Sequence, residues 1–501
     1  MANLKELGAH VWARLAAKET KRWASKPIET QEKVFQDLIK KAKDTAFGKD
    51  HDFANIRNMQ DFQARVPVRD YEELRHYVDR VVAGEPDILW PGKPTYFAKT
   101  SGTTSGAKYI PLTKESVPYH VKSARNALFA HILNTGSTAF LNGKMIFLQG
   151  SPELESKNGI STGRLSGITA HFVPRYLLKN RMPSWEVNCI EDWETKVDAI
   201  VEETHQADMT VISGIPPWVQ MYFERLMEKT GKTTMADVFP NFDLFITGGV
   251  SFEPYKARFA ELFGRNIPIL ETYPASEGFF AYQDRKDSKD LLLLLDNAMF
   301  YEFIPADQYF EENPPRLTIG EVELGVNYAL ILNTNAGLWG YSIGDTIRFV
   351  SKSPYRIRVS GRIKHYISAF GEHVIGSEVE YAMELAVASH GGQVREFTVA
   401  PQVRPKEGGL PYHEWLVEFD VLPKDVEGFS LALNAAMRIK NVYYADLVDG
   451  GILRPCVLRA LAPESFIQYM KSQGKLGGQN KVPRLMNDRK IADILMGYLE
   501  A

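Results

Sequence analysis

Thr100-Ser101-Gly102-Thr103-Thr104-Ser105-Gly106-Ala107-Lys108 packs two glycines, five hydroxyl residues and one lysine into nine positions. Tyr96-Phe97-Ala98 before it reads as a strand, and Tyr109-Ile110-Pro111-Leu112 after it as an extended segment. Such a loop suits a polyphosphate. Glycines let backbone N–H groups close on phosphate oxygens, hydroxyls add donors, and the lysine adds charge. A Walker loop is disfavoured, because Ala107 separates Gly106 from Lys108 and Tyr109 follows. The nearby Gly231-Lys232-Thr233 has Leu226 where that motif needs its first glycine. Ser105 and Lys108 also have the Ser-x-x-Lys spacing of penicillin-binding enzymes, with Lys229-Thr230-Gly231 as their third element. The Ser-Asp-Asn element is absent, and Pro111 leaves no room for the helix that should carry the serine and lysine. Taken alone, the loop also fits an ordinary surface turn.

The rest of the chain bounds the choice. At 501 residues it is too long for one ordinary core, so two or three domains are expected. With 44% hydrophobic and 24% charged residues and a net charge of −3, it offers no electrostatic footprint for nucleic acid or an anionic membrane. Cys189 and Cys456 stand far apart and in no metal spacing, which fits a reducing cytoplasm. No run of about 18 apolar residues occurs, and the amphipathic N-terminus is broken by Lys5, Glu6, Arg14, Lys18 and Glu19.

Residues 1–90 read as helical, with Asp70 as an N-cap. Between 145 and 273, apolar strands at 145–148, 209–214, 244–249 and 267–273 alternate with helices opened near Pro216 and near residue 253. That alternation predicts a parallel or mixed sheet flanked by helices. From 316 to 360 strands dominate. Beyond Gly361-Arg362 a βαββαβ order suits a small α+β domain. The expected boundary lies near residue 363, giving domains 1–363 and 364–501.

Three further segments carry chemistry-bearing residues. Tyr273-Pro274-Ala275-Ser276-Glu277-Gly278 puts a tyrosine, a hydroxyl and a carboxylate at a strand end, able to stack on a base, bond a phosphate and hold Mg²⁺. A turn with a solvated Glu277 is the plainer reading. Tyr341-Ser342-Ile343-Gly344-Asp345 offers a carboxylate for two ribose hydroxyls, against the hairpin turn that Gly-Asp commonly makes. Gly361-Arg362 with Phe370-Gly371-Glu372 is weaker still.

In this order, together with Thr45 to His51, Val66-Pro67, Asp70-Tyr71 and Gln479-Asn480-Lys481-Val482-Pro483-Arg484, the segments resemble the adenylate-forming superfamily. Within it they are most similar to the Gretchen Hagen branch, the auxin-responsive acyl-acid amido synthetases. The resemblance spans almost the whole chain. It implies an α/β fold: a large N-terminal adenylation domain, of mixed sheets flanked by helices plus a β-rich subdomain, and a smaller mobile α+β C-terminal domain. It implies a cytoplasmic ligase that uses ATP and Mg²⁺ to adenylate a small carboxylic acid and passes the acyl group to an amino acid. No nucleic acid, membrane or obligate protein partner is implied.

The resemblance also assigns roles. Ser101, Gly102, Thr103, Thr104 and Lys108 would hold the β- and γ-phosphates. Tyr273 would pack on adenine beside backbone from Gly248 and Gly249. Ser276 would contact the α-phosphate and Glu277 the Mg²⁺. Asp345 would grip the ribose, with Arg362 assisting at the hinge. Lys481 would reach the adenylate when its domain rotates. His373 stands where plant members often carry a lysine, and a histidine can still donate to phosphate. His365 stands where the superfamily usually has a hinge acid. An acyl-coenzyme A synthetase of the same fold and a catalytically silent acyl- or nucleotide-binding protein are the alternatives. For the acid itself, the segment from Val121 to His131, with Arg125, is a candidate lining, against the commoner fate of an arginine on a solvated helix face.

Overall fold

The computed structural model describes residues 4–100, 108–173, 178–249, 252, 255–286, 288–363, 366, 367, 369, 370, 372, 374–403, 405, 406, 408–449, 452–477 and 481–499. Two compact units result. The first gathers Met1–Gly214, Phe239–Gly249 and Ile267–Arg358; the second gathers Ile215–Val238, Val250–Asn266 and Val359–Ala501.

In chain order the strands begin with β1 (Tyr96–Thr100), β2 (Lys108–Leu112), β3 (Lys144–Phe147), β4 (Glu155–Lys157), β5 (Ile160–Gly163), β6 (Arg181–Met182) and β7 (Met209–Ser213). They continue with β8 (Leu244–Gly248), β9 (Ile269–Ala275), β10 (Gly278–Tyr282), β11 (Leu291–Leu293), β12 (Met299–Pro305), β13 (Asn327–Thr334), β14 (Tyr341–Lys352) and β15 (Tyr355–Arg362). The C-terminal part adds β16 (Tyr366–Ile367), β17 (Val374–Ile375), β18 (Gln393–Gln402), β19 (Tyr412–Val421) and β20 (Val457–Leu461).

The first unit opens with helices Leu4–Ala24, Pro27–Ala42, Ala46–Asp50, Met59–Arg65 and Tyr71–Val82. Pro27 takes the first helical position, where its fixed φ helps and its missing N–H costs nothing. Asp70 caps the last of these helices through a reciprocal pair with Glu73. Val34, Phe35, Leu38 and Ile39 face the core. Buried Gln31 fastens their helix to β12 by donating to Leu295 O and Met299 O and accepting from Tyr301 N.

The strands expected between 145 and 273 and those expected beyond 316 share one 11-stranded sheet, ordered β12-β13-β14-β15-β11-β10-β9-β8-β7-β3-β6. The β-rich stretch is therefore the antiparallel half of that sheet. Pairings of β3 with β6 and β7, of β7 with β8, and of β8 with β9 are all parallel. Their carboxyl ends line one edge, the place where such sheets bind ligands. A separate four-stranded sheet, β2-β1-β5-β4, carries the opening loop between β1 and β2.

In the second unit β18 pairs antiparallel with β19 and β20 parallel with β19. Helices Gly376–His390 and Val426–Lys440 supply Val379, Met383, Leu433 and Met437 to a core with Phe397 and Trp415. Helices Pro216–Thr230 and Lys256–Phe263 belong to this unit too. Arg395 ties Glu224 of the first of them to Asp420 of β19.

Candidate nucleotide site

β9 and β10 form a hairpin in which Ala275 faces Gly278, so Ser276 and Glu277 are the two residues of a tight turn. β14 runs nearby with an irregularity: Ser342 pairs with Ile331 and Thr346 with Ala329, leaving Ile343-Gly344-Asp345 opposite one residue. Gly344 there has φ +85°, a conformation natural to glycine. Such bulges re-aim side chains, and this one presents Asp345 to β9. The Tyr273 hydroxyl donates to Asp345 Oδ2 at 2.6 Å across 72 residues of sequence. The buried Tyr341 hydroxyl donates to Glu277 Oε1 at 3.3 Å. Two motifs distant in the chain thus meet through a crossed pair of tyrosine–carboxylate bonds. Bonds of this charge-assisted kind outlast neutral ones. Tyr273 is itself buried, with Phe280 edge-on at 5.0 Å.

Gly248 and Gly249 end β8 beside this hairpin. A Cβ on Gly248 would lie 2.5 Å from Thr272 O, so only glycine lets the strands close there. Gly249 has φ +84° and turns the chain away.

On the other sheet Thr100 pairs with Lys108, clamping the ends of the opening loop. Ser101, Gly102, Thr103 and Thr104 lie outside the described residues, as does His373. Lys108 begins a strand, which removes the helical Ser-x-x-Lys reading. Its ammonium sits 5.3 Å from the centre of the Tyr71 ring, and the Tyr71 hydroxyl accepts from Tyr109 N at 2.8 Å. Burial raises the pKa of that phenol. Tyr71 therefore braces the exit of the loop. The sequence flagged it only as half of a motif.

Arg362 and Lys481 are exposed members of the second unit. The segment after Lys481 is anchored. Val399 N donates to Arg484 O at 2.9 Å, Met486 N donates to Val399 O at 3.0 Å, and Thr398 Oγ1 donates to Pro483 O at 2.7 Å. The Arg484 guanidinium lies 4.5 Å from the Phe397 ring centre and donates to the Tyr255 hydroxyl at 2.6 Å. Burial alone would lower its pKa, but Glu396 and Glu380 raise it. Glu372, fully buried, bonds His413 at 2.8 Å and accepts from Phe370 N, bracing the turn before His373. Arg125 is exposed, over its own helix's Phe129.

No cluster of three His, Cys, Asp or Glu side chains suited to a metal occurs among the described residues. Mg²⁺ does not need one. It is commonly held by one or two carboxylates together with substrate phosphates, and a single carboxylate at a hairpin tip fits that use.

At the carboxyl edge of the parallel strands, then, two carboxylates are held by tyrosines, a donor set suited to a nucleotide. The GH3 family N-terminal domain matches residues 16–187, the central domain 292–362 and the C-terminal domain 377–490. The chain belongs to the GH3 family, the acyl-acid amido synthetases of the adenylate-forming superfamily. It is accordingly a ligase that forms amide bonds through an acyl-adenylate. Indole-3-acetic acid-amido synthetase GH3.4 of Arabidopsis thaliana is 21% identical over 94% of this chain and 91% of that protein. The jasmonoyl–L-amino acid synthetase JAR4 of Nicotiana attenuata is 20% identical over 64% of this chain and 66% of that one. A solved GH3.15 acyl acid amido synthetase superposes with a TM-score of 0.78 at 15% identity, covering 97% of this chain and 96% of that one. A 2-hydroxyisobutyryl-CoA ligase bound to 2-HIB-AMP superposes with 0.58 at 14% identity, covering 93% and 90%.

Proposed function

We propose that this protein takes ATP and a small carboxylic acid, forms the acyl-adenylate with release of pyrophosphate, and gives the acyl group to the amine of an amino acid with release of AMP. The observation that carries this reading is the crossed pairing of Tyr273 with Asp345 and Tyr341 with Glu277 at the carboxyl edge of the parallel strands. A carboxylate is a poor acyl donor. Adenylation turns its oxygen into a leaving group, and the protein's task is to hold phosphate charge and keep water from the mixed anhydride. Asp345 accepts from the ribose hydroxyls. Tyr273 fixes Asp345 and lends its ring to the base beside the Gly248-Gly249 backbone. Ser276 contacts the α-phosphate. Ser101, Gly102, Thr103, Thr104 and Lys108 receive the departing pyrophosphate. Mg²⁺, held by Glu277 and the phosphates, supplies charge neutralisation. Arg362 and His373 assist, and Lys481 adds a positive charge for the adenylate.

The functional division falls near residue 363, with residues 364–501 as the smaller domain. Among the described residues no helix is long and apolar enough to cross a membrane, and both cysteines are unpaired. A cytoplasmic location belongs to the same proposal, and two cysteines that form no disulfide support it. Indole-3-acetate and jasmonate belong to the relatives' names, and at about one-fifth identity they are not transferred to this chain.

The test is pyrophosphate release from ATP across a panel of carboxylic acids, followed by addition of amino acids or of coenzyme A. Acid-dependent release with amide formation supports the reading. A thioester product with no amide refutes it. Lys108→Ala and Glu277→Ala each abolish release; full turnover in both variants removes the site.

A further inference from the structure

Further along the same sheet edge lies a group of polar side chains that none of these roles uses. β3 runs out into Leu148-Gln149-Gly150-Ser151, and its outer neighbour β6 starts at Arg181. Arg181 donates to Ala170 O at 3.1 Å, and its Nη2 lies 2.9 Å from the Gln149 amide oxygen. Arg164 lies across Gly150, where a Cβ would meet its Cδ at 2.6 Å, so the glycine gives the guanidinium room to pass. Lys196, 1% exposed, donates to Asn188 O at 2.5 Å. Its pKa is pushed down to about 8, mainly by burial, with the Arg164 charge acting the same way.

Among the described residues, none of these three cations bonds a carboxylate. The acids that interact with the group, Glu153 beside Cys189 and Glu191 beside Lys196, are exposed. Ser166 Oγ and Asn188 Oδ1 are buried there without a hydrogen-bond partner. Two half-buried arginines and a buried lysine not matched by bonded acids are an electrostatic receptor for an anion. β3 lies two strands from β8, so the strand end that carries Gln149 and Gly150, against which Arg181 and Arg164 lie, stands roughly 10 Å from β8 across the sheet.

We propose that Arg164, Arg181 and Lys196 receive a second carboxylate at the far end of the activated acid, so that the preferred substrates are dicarboxylic acids. This inference rests on the adenylating role given above. The α-carboxylate of the acceptor amino acid offers the same chemistry. It lies two bonds from the attacking nitrogen, however, and so belongs near the acyl carbon, not strands away along the edge.

The experiment measures pyrophosphate release without amine for matched pairs, hexanoate with adipate and benzoate with terephthalate. It uses the full-length protein and its Arg164→Gln and Lys196→Met variants, with folding checked by circular dichroism. Arg164 is half-buried, so its variant keeps the test open if Lys196→Met does not fold. The diacid of each pair should show a kcat/KM at least about tenfold higher, and Arg164→Gln should lower only the diacid value by about tenfold, the worth of one charge-assisted bond. The KM for ATP and the monoacid rates should stay within about twofold. Monoacid turnover without diacid preference overturns the inference and leaves the adenylating role standing. An effect confined to the amino-acid KM of the second step assigns the cations to the acceptor and overturns it too. Failure of every acid to release pyrophosphate defeats the adenylating role itself, and the inference with it.

Discussion

Gly248→Ala probes the sheet edge directly. The added Cβ would stand 2.5 Å from Thr272 O and 2.8 Å from Thr272 Oγ1, where ordinary contact begins near 3.4 Å. β8 and β9 must therefore part by about 0.9 Å at a point where strands run about 4.8 Å apart. Both obstructing atoms belong to a short residue bonded in place, since Thr272 Oγ1 donates to Thr247 O at 3.1 Å. Overpacking of this kind costs about 1–3 kcal/mol. The strain falls one residue before Tyr273, so it also shifts the tyrosine that holds Asp345. Urea unfolding followed by circular dichroism should show a lower midpoint, and pyrophosphate release should show the KM for ATP raised about fivefold or more, the equivalent of about 1 kcal/mol. Gly8→Ala is the control, because nothing lies within 4 Å of its Cβ and it sits inside a helix, where alanine is favoured. An unchanged midpoint for Gly248→Ala refutes the packing argument. A lowered midpoint with an unchanged KM for ATP refutes the assignment of this edge to the nucleotide.

Burial drives the imidazole pKa of His120 down to about 4. The unfolded chain therefore binds a proton below about pH 6.5 that the folded one refuses, and stability falls from there toward pH 4 by about 3 kcal/mol in all. His120→Leu should flatten that slope in urea titrations run between pH 7 and 4.5; an identical slope contradicts the assignment. Tyr273→Phe removes the 2.6 Å bond to Asp345, and a bond to a charged group is worth about 1.5–3 kcal/mol. The KM for ATP should rise about tenfold or more while the KM for the acid holds. Glu372→Ala strips His413 of its partner in a pair with 0% exposure on both sides. Loss of one member of a buried pair costs about 3–5 kcal/mol, so a melting temperature within 2 °C of the parent, by the size scaling of such shifts, contradicts a bracing role.

Much of the fold was legible because period and punctuation agreed. The run from Met209 to Ser213 is nearly all buried, as a central parallel strand should be, and Pro216 opens the next helix as its fixed φ allows. Asp70 announced a helix start as an N-cap residue, and its reciprocal pair with Glu73 is what the structure adds. The strands β10, β11 and β12 were not anticipated. Leu291 to Leu295 is uniformly apolar, and such a run has no period to read. The bonds that organise the site were equally hidden. Tyr273 and Asp345 are brought together by the order of strands in a sheet, and Asp345 is aimed by a bulge that only pairing reveals. The cations at Arg164, Arg181 and Lys196 come from three separate elements, so no local spacing marks them.

The path of the chain through its two units has a consequence for synthesis. Glu224 leaves the ribosome 171 residues before Arg395, its partner. At about 5–20 residues per second, that interval is on the order of 10–30 s. Throughout it, the helix Pro216–Thr230 is complete while the strands that anchor it are not yet made. Tyr255 and Arg484 face a longer wait, 229 residues apart. Helices made mid-chain are thus fastened by its last part, so a polypeptide released early keeps its sheet but leaves these helices without their fasteners, ready for a chaperone or a protease to seize.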